Sequence, residues 1–161
     1  MNYDQIAKSY NELHREEQLK KIKLIIDLLK IKEETVLDVG CGTAFYSNLI
    51  KNYTGIDPSK EMIKQAKIKI ILGQGENLPF KNKEFDTVIS ISAIHNFKDP
   101  IKGIEEIKRV AKNKIAISVF KRAKKLKIIE NQLKDFNRIE EDKDIIFYKF
   151  SKGLSKSILF G

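Results

Sequence analysis

The spacing of apolar residues changes along the chain, and the change predicts alternating helices and strands. Between residues 3 and 30 apolar side chains recur every three or four positions, which predicts a helix with a break near His14. From residue 35 onward, short β-branched runs bounded by turn residues indicate buried strands. The predicted strands cover residues 35–39, 53–56, 68–72, 85–91, 114–120, 144–150 and 156–160.

Helical patterns separate these strands. Helices are predicted over residues 45–51, from the capping residue Ser59 to residue 66, and over residues 100–111 and 123–136. Regular alternation of strand and helix is typical of a mostly parallel sheet covered on both faces. The last two strands should pair as a hairpin through residues 151–155. We therefore expect an α/β fold: a doubly wound, Rossmann-like, seven-stranded and mostly parallel sheet with a C-terminal antiparallel hairpin.

Length and composition indicate one domain and exclude a membrane-spanning helix. The chain has 161 residues, and no apolar run approaches the roughly 18 residues of such a helix. We expect a single domain over residues 1–161, with a helical lead (1–30), a ligand-binding core (35–120) and a terminal helix and hairpin (121–161). One cysteine cannot form an internal disulfide and no signal peptide is visible, so a cytoplasmic location is predicted.

The net charge of +9 has two explanations. A basic surface attracts anions such as nucleic acid. A chain rich in lysine and isoleucine also carries excess charge as a general surface property, and this explanation is favoured.

A glycine turn follows the first predicted strand. Gly40 and Gly42 flank Cys41, and Ala44 stands where a dinucleotide fingerprint has its third glycine. Asp57 ends the second strand, where a carboxylate can bind both hydroxyls of a ribose. Asp38, just before the turn, would repel a pyrophosphate and attract an ammonium group. The ligand is therefore expected to carry a nucleoside and a cation, which argues against a nicotinamide oxidoreductase.

These residues resemble motif I and motif II (residues 55–59) of the class I S-adenosylmethionine-dependent methyltransferases. Residues 73–80 and 85–97 are similar to the motifs that follow the third and fourth strands of that family. Residues 3–10 resemble the N-terminal lead of its ubiquinone/menaquinone-type and "type 11" members. The chain is identified as a compact member that lacks room for a lid.

The resemblance implies S-adenosylmethionine as the cofactor and assigns roles to individual residues. Asp38 would support the ammonium group, Asp57 would bind the ribose, and Gln74 would accept the adenine amino group. Met62 would pack on the adenine or fill the core, and Tyr10 would cover the cofactor or fasten the first helix. The implied cofactor-binding residues are Tyr10, Asp38, Gly40, Cys41, Gly42, Asp57, Pro58, Met62, Gln74, Gly75, Glu76 and Ser90. Cys41 is interpreted as packing rather than as a nucleophile.

The candidates for acceptor chemistry follow the fourth strand: Ser92, His95 and Asn96. His95 would serve as a base, as an orienting donor, or only in packing. The chain has no Asn/Asp-Pro-Pro-Tyr sequence, and its one cysteine lies in the glycine turn. Both facts disfavour amino-group methylation of adenine and methylation through a cysteine adduct. No residues have metal-ligand spacing, so we predict no metal.

The acceptor stays open between two classes. The first is an O or N atom of a small molecule. The second is a tRNA or rRNA, guided by the basic segment 121–127. A non-catalytic S-adenosylmethionine-binding subunit is the alternative of another kind. The third strand is expected at a sheet edge, where a small zinc-binding activator protein could pair with it, and no membrane partner is expected.

Overall fold

The computed structural model describes residues 3–151, and it describes side chains from residue 12 onward. Two single turns of 3₁₀-helix, at Ser47–Leu49 and Ile94–Asn96, accompany four α-helices and seven strands. In chain order, these are α1 (Tyr3–Leu29), β1 (Thr35–Val39), β2 (Asn52–Asp57), α2 (Lys60–Gln65), β3 (Ile71–Leu72), β4 (Phe85–Ile91), α3 (Pro100–Val110), β5 (Ala111–Phe120), α4 (Leu126–Gln132), β6 (Asn137–Glu140) and β7 (Asp144–Phe150).

The strands form one sheet in the order β3-β2-β1-β4-β5-β7-β6. The pairs from β3 through β5 are parallel, whereas β7 is antiparallel to both β5 and β6. The predicted doubly wound, seven-stranded fold is confirmed. The observed hairpin is formed by β6 and β7, and the strand predicted at 156–160 lies outside the described residues. Strand β6 escaped prediction because its sequence, Asn-Arg-Ile-Glu, has one apolar residue and sits on an exposed edge.

Two apolar layers enclose the sheet. On one face, α1 packs Ile22, Ile25 and Leu29 against residues of β1 and β4. On the other face, α3 and α4 contribute Ile104 and Ile129, together with other fully buried side chains. Asp99 caps the N-terminus of α3, because its side chain accepts a hydrogen bond from the Lys102 N–H. The first turn of the helix contains Pro100. The two layers therefore bury both faces of the sheet.

Several predicted boundaries were wrong. Helix α1 runs without a break past His14. The helix predicted at 45–51 is a single 3₁₀ turn, since Gly42 and Ala44 at positive φ keep the preceding chain in a tight loop. The strand predicted at 68–72 shrinks to two residues, and the helix predicted at 123–136 covers only Leu126–Gln132. Apolar periodicity predicted the elements but overstated the lengths of these three.

The carboxyl ends of β1, β2, β3 and β4 meet at one end of the sheet, as the parallel order requires. The turns that follow them, at residues 40–44, 57–59, 73–76 and 92–97, therefore lie side by side. Across residues 3–151, no helix combines the length and the hydropathy needed to cross a membrane.

Candidate cofactor and acceptor site

A cavity of about 1190 Å³ opens where these turns meet. It exceeds the roughly 300–1,000 Å³ of most small-ligand pockets, so two ligands can share it. Most of the residues that the sequence proposed for the site line it. They are Gly40, Cys41, Gly42, Asp57, Pro58, Met62, Gln74, Gly75, Glu76, Ser92 and Asn96.

Asp57 connects two of the turns. Its Oδ2 accepts a hydrogen bond from the Gly42 N–H at 2.8 Å, and its Oδ1 accepts one from the Ser59 N–H at 2.9 Å. A carboxylate has about four acceptor positions, so two remain after these bonds. The side chain is buried yet lines the cavity. Asp57 is therefore both a brace for the glycine turn and a charged acceptor for a ligand that carries two hydroxyls.

The glycines let the backbone approach a phenylalanine ring that the sequence analysis missed. Gly40 has φ +75°, and a Cβ there would collide with Ala93. A Cβ on Gly75 would collide with the ring of Phe97. Phe97 itself lines the cavity. A larger residue at either position would therefore have to displace Ala93 or Phe97.

Met62 lies on the cavity wall and not in the core. Its side chain is 43% exposed, on the helix that Ser59 caps through the Met62 N–H. The core-filler interpretation of Met62 is therefore wrong, and its thioether is available to a flat ring. Glu76 lies across the cavity, where its Oε2 accepts a hydrogen bond from the Lys98 N–H at 3.1 Å.

Asp38 lies behind the cavity rather than on its wall. It is fully buried, and its Oδ2 accepts hydrogen bonds from the hydroxyls of Tyr46 at 2.5 Å and Tyr53 at 2.6 Å. Its Oδ1 has no hydrogen-bond partner among the described residues. Burial raises the pKa of Asp38 to about 6, although the two tyrosine hydrogen bonds act to lower it. Tyr46 forms the cavity wall in front of Asp38, and the support that Asp38 would give to an ammonium group stays a prediction.

Cys41 and Ser90 have structural surroundings. Burial raises the pKa of the Cys41 thiol, with the charges of Asp38 and Asp57 adding to the effect. The thiol therefore stays protonated and is not a nucleophile, which agrees with its interpretation as a packing residue. Ser90 is fully buried, does not line the cavity, and donates from Oγ to the Val39 carbonyl at 2.9 Å. The role expected of Ser90 belongs to its backbone carbonyl, and it stays a prediction.

The acceptor candidates separate into two groups. Ser92 and Asn96 line the cavity, whereas His95 does not. His95 is half-buried beside Phe120, with ring centroids 6.3 Å apart. Burial lowers its pKa, and its Nδ1 has no hydrogen-bond partner among residues 12–151. His95 therefore lies outside the cavity lining, and its role as a base or orienting donor stays a prediction.

Helix α1 covers one side of the cavity. His14, Arg15 and Gln18 line it, and the Arg15 guanidinium lies 4.6 Å from the centroid of the Phe45 ring. Helix α1 thus adds one wall to the cavity, and the expected absence of a lid stays a prediction. These residues escaped prediction because the contact joins segments that are distant in sequence. The Tyr10 side chain lies outside the described residues.

The part of the chain that the structure describes contains no group of three histidine, cysteine, aspartate or glutamate side chains able to hold a metal ion.

Comparison with known proteins agrees with the fold. Residues 37–117 match the family model described as "Methyltransferase domain". "Uncharacterized protein MJ1252" of Methanocaldococcus jannaschii is 37% identical over 116 residues, which cover 69% of this chain and 46% of that protein. The demethylmenaquinone methyltransferase of Thermotoga maritima is 31% identical over 70% of this chain and 56% of its own length.

Among solved structures, the complex of the Haloferax volcanii Trm112 methyltransferase activator with its methyltransferase aligns with a TM-score of 0.61. The alignment covers 75% of this chain and 84% of that one, and at 16% identity it shows the fold alone. The chain belongs to the methyltransferase-domain family, within the class I S-adenosylmethionine-dependent methyltransferases. It spans about half the length of the two curated relatives described above.

Proposed function

We propose that this protein transfers a methyl group from S-adenosylmethionine to an O or N atom of a small-molecule acceptor. The observation that supports the proposal most is Asp57, a buried carboxylate with two acceptor positions left, in a cavity that also holds the glycine turn and Met62. A ribose fits the carboxylate, and an adenine fits the exposed thioether.

The residues of the chain mainly bind and orient. S-adenosylmethionine supplies an electrophilic sulfonium methyl, so the rate depends largely on where the acceptor is held. Asp57, Met62 and Gln74 would hold the nucleoside, and the glycine turn would lie along the aminoacyl part. Ser92 and Asn96 would face the acceptor at the other end of the cavity.

The acceptor class can be tested with labelled cofactor. The protein is incubated with methyl-labelled S-adenosylmethionine and with extract of its native cells, separated into RNA, protein and small molecules. We expect label in the small-molecule fraction. Label in RNA would favour the second candidate below, and binding of the cofactor without transfer to any fraction would favour a non-catalytic cofactor-binding subunit.

An RNA acceptor is favoured by one observation. Lys125 donates from Nζ to the Phe97 carbonyl at 2.8 Å, so the basic segment 121–127 adjoins the cavity rim near Lys98. Arg122, Lys124 and Lys127 are exposed there. Positive charge at the rim could guide a phosphate backbone.

Changing Lys124 and Lys127 to glutamine tests this candidate without breaking the Lys125 hydrogen bond. Binding of total tRNA from the native cells should weaken, and the salt dependence of log K should flatten by roughly 0.7–0.9 per lost phosphate contact. Lys20 and Lys23, exposed on α1, give a double glutamine control of equal charge. Equal slopes of log K against log salt concentration for the two double variants would show that this segment does not guide RNA.

We also propose that a small partner protein binds at β3. Strand β3 ends the sheet, and its residue Leu72 is 52% exposed. An unpaired strand edge can accept another strand. We expect a stoichiometric small companion when the protein is purified from its native cells, and Leu72→Lys should lose that companion while binding cofactor normally. Full activity of the purified protein alone would argue against a required activator.

A further inference from the structure

A buried polar cluster beside the cavity joins α1, the turn after β4 and β7. Of its three members, Ser92 alone has a role in the proposed function. Lys21 of α1 places its Nζ 2.8 Å from Asp144 Oδ2 and 2.7 Å from Ser92 Oγ. Ser92 donates from Oγ to Asp144 Oδ2 at 2.7 Å. The Lys21 and Asp144 side chains are 12% and 5% exposed. Only Ser92 of the three lines the cavity.

The hydrogen bonds of Ser92 leave it one free acceptor position. A serine hydroxyl has one hydrogen and two lone pairs. The hydrogen goes to the Asp144 carboxylate and one lone pair accepts from the Lys21 ammonium. Ser118 Oγ lies 3.5 Å away, too far for a well-formed O–H···O bond, so it does not occupy the second lone pair. A ligand that meets this oxygen must therefore donate a hydrogen bond to it.

The backbone holds Ser92 in a strained conformation. Its φ is +51°, in the left-handed region that costs a non-glycine residue free energy. The Ser92 N–H is fixed by the Ser118 carbonyl at 3.1 Å and by Ser118 Oγ at 2.8 Å. Strain of this kind persists where the surroundings over-determine it, and here the surroundings include a buried ion pair.

We propose that Ser92 orients the methyl acceptor by accepting a hydrogen bond from the O–H or N–H of its nucleophilic atom, and that Lys21 and Asp144 are the positioning residues. The proposal rests on the methyl transfer proposed above. Lys21 and Asp144 together prevent Ser92 from acting as a donor, so the site selects hydroxyl and N–H acceptors. The hydrogen bond leaves a lone pair of the nucleophile free to face the sulfonium methyl. The new bond from the methyl group to oxygen or nitrogen forms as the methyl–sulfur bond breaks, S-adenosylhomocysteine leaves, and the proton of the acceptor passes to water.

The first test is Ser92→Ala, which removes one hydroxyl and keeps the backbone conformation equally strained. Methyl transfer is followed with labelled S-adenosylmethionine and the extract fraction that takes up label. We expect kcat/KM to fall about three- to tenfold, the loss of one hydrogen bond. Affinity for S-adenosylhomocysteine, measured by calorimetry, should stay the same. A wild-type protein that binds no S-adenosylhomocysteine would overturn the proposed function. Unchanged transfer by Ser92→Ala, beside an active wild type, would overturn only this inference.

The second test separates positioning from stability. Lys114 forms a comparably buried ion pair with Glu34, far from the cavity, so Lys114→Met is the matched control for Lys21→Met. Lys21→Met should slow transfer about as much as Ser92→Ala, Lys21→Arg should recover most of the rate, and Lys114→Met should leave it unchanged. Adding Lys21→Met to Ser92→Ala should slow transfer no further. Equal slowing by the two methionine variants would assign the effect to stability and overturn the inference.

The product gives an independent check. The labelled product of the wild-type reaction is isolated, and the methylated atom is located by mass spectrometry and NMR. Label on an oxygen or nitrogen that carried a hydrogen supports the selection by Ser92. Label on a carbon atom would overturn it.

Discussion

Two buried lysine–carboxylate pairs lie at opposite ends of the sheet and have different surroundings. Lys21 and Asp144 are 2.8 Å apart at the carboxyl end of the parallel strands, beside the cavity. Lys114 and Glu34 are 2.6 Å apart at the other end, near the start of β1. Both connect α1, or the turn that follows it, to the sheet. The first pair also contacts the hydroxyl of Ser92, which lines the cavity, whereas no residue of the second pair lines the cavity.

Both members of the second pair also form hydrogen bonds with neighbouring residues. Lys114 Nζ also donates to the Lys30 carbonyl at 3.4 Å, and Glu34 Oε2 accepts from Thr87 Oγ1 at 3.3 Å. At the cavity end, by contrast, Asp38 Oδ1 and His95 Nδ1 are buried without partners, the two such atoms among the described side chains. Buried polar groups without partners cost free energy. These two atoms lie near the cavity but not on its wall. Because only the first ion pair reaches the cavity, through Ser92, we expect that pair to affect the ligand and the second pair to affect stability alone.

The largest effect on binding is expected at Asp57. Asp57→Ala should remove two charge-assisted bonds to the ribose, each worth roughly 1.5–3 kcal/mol, and should weaken S-adenosylhomocysteine binding about a hundredfold or more. Calorimetry measures the affinity. Ser59→Ala is the control, because it removes the cap of α2 but keeps the carboxylate. Equal losses in the two variants would show that the loss follows from disturbing the start of α2 and not from losing the bonds to the ribose.

Lys114→Met should affect stability alone. Removing one partner of a buried ion pair costs about 3–5 kcal/mol, and the partial exposure of Glu34 places the expected loss near 3 kcal/mol. Urea unfolding measures the loss, and affinity for S-adenosylhomocysteine should not change. A clear loss of affinity in this variant would contradict the division between the two ends.

Asp38→Asn should raise the free energy of unfolding at pH 7, whereas Lys114→Met should lower it. Between about pH 4 and pH 6 folded Asp38 keeps a proton that the unfolded chain releases, because its pKa is raised from 3.8 to about 6. This group therefore lowers the free energy of unfolding as the pH rises through that window, and the loss is complete above it. Asparagine cannot ionise, so at pH 7 Asp38→Asn should be more stable by about 2–3 kcal/mol.

Urea unfolding of Asp38→Asn and wild type at pH 4, 5, 6 and 7 provides the check. The difference between them should grow from pH 4 to pH 6 and then stay constant. A constant difference over the whole range would mean that Asp38 does not titrate there.

Local pattern predicted much of the fold. Strands β4 and β7 were predicted with the bounds that the structure shows, since each is a long apolar run next to a clear turn. Ser59 was predicted as a cap and accepts from the Met62 N–H. Strand β6 was missed because an exposed edge strand needs little apolar sequence. The spacing of apolar residues therefore predicts buried strands and helix caps well, but it does not predict exposed edge strands.

The site was predictable where motifs are contiguous and unpredictable where contacts are distant. The residues of the glycine turn and Asp57 stand close together in the sequence, and they line one cavity. Lys21 and Asp144 are 123 positions apart, and only the fold brings them together. The burial of Asp38 behind two tyrosine hydroxyls likewise depends on how β1 and β2 pair, which the sequence pattern does not reveal.

Calorimetric titration of the wild-type protein with S-adenosylmethionine and S-adenosylhomocysteine is the decisive measurement of cofactor binding. We expect one site per chain for each compound and competition between the two. Asp57→Ala, still folded by circular dichroism, should lose this binding while Lys114→Met keeps it. No binding by the wild-type protein, or equal binding by wild type and Asp57→Ala, would contradict the assignment of this cavity to the cofactor.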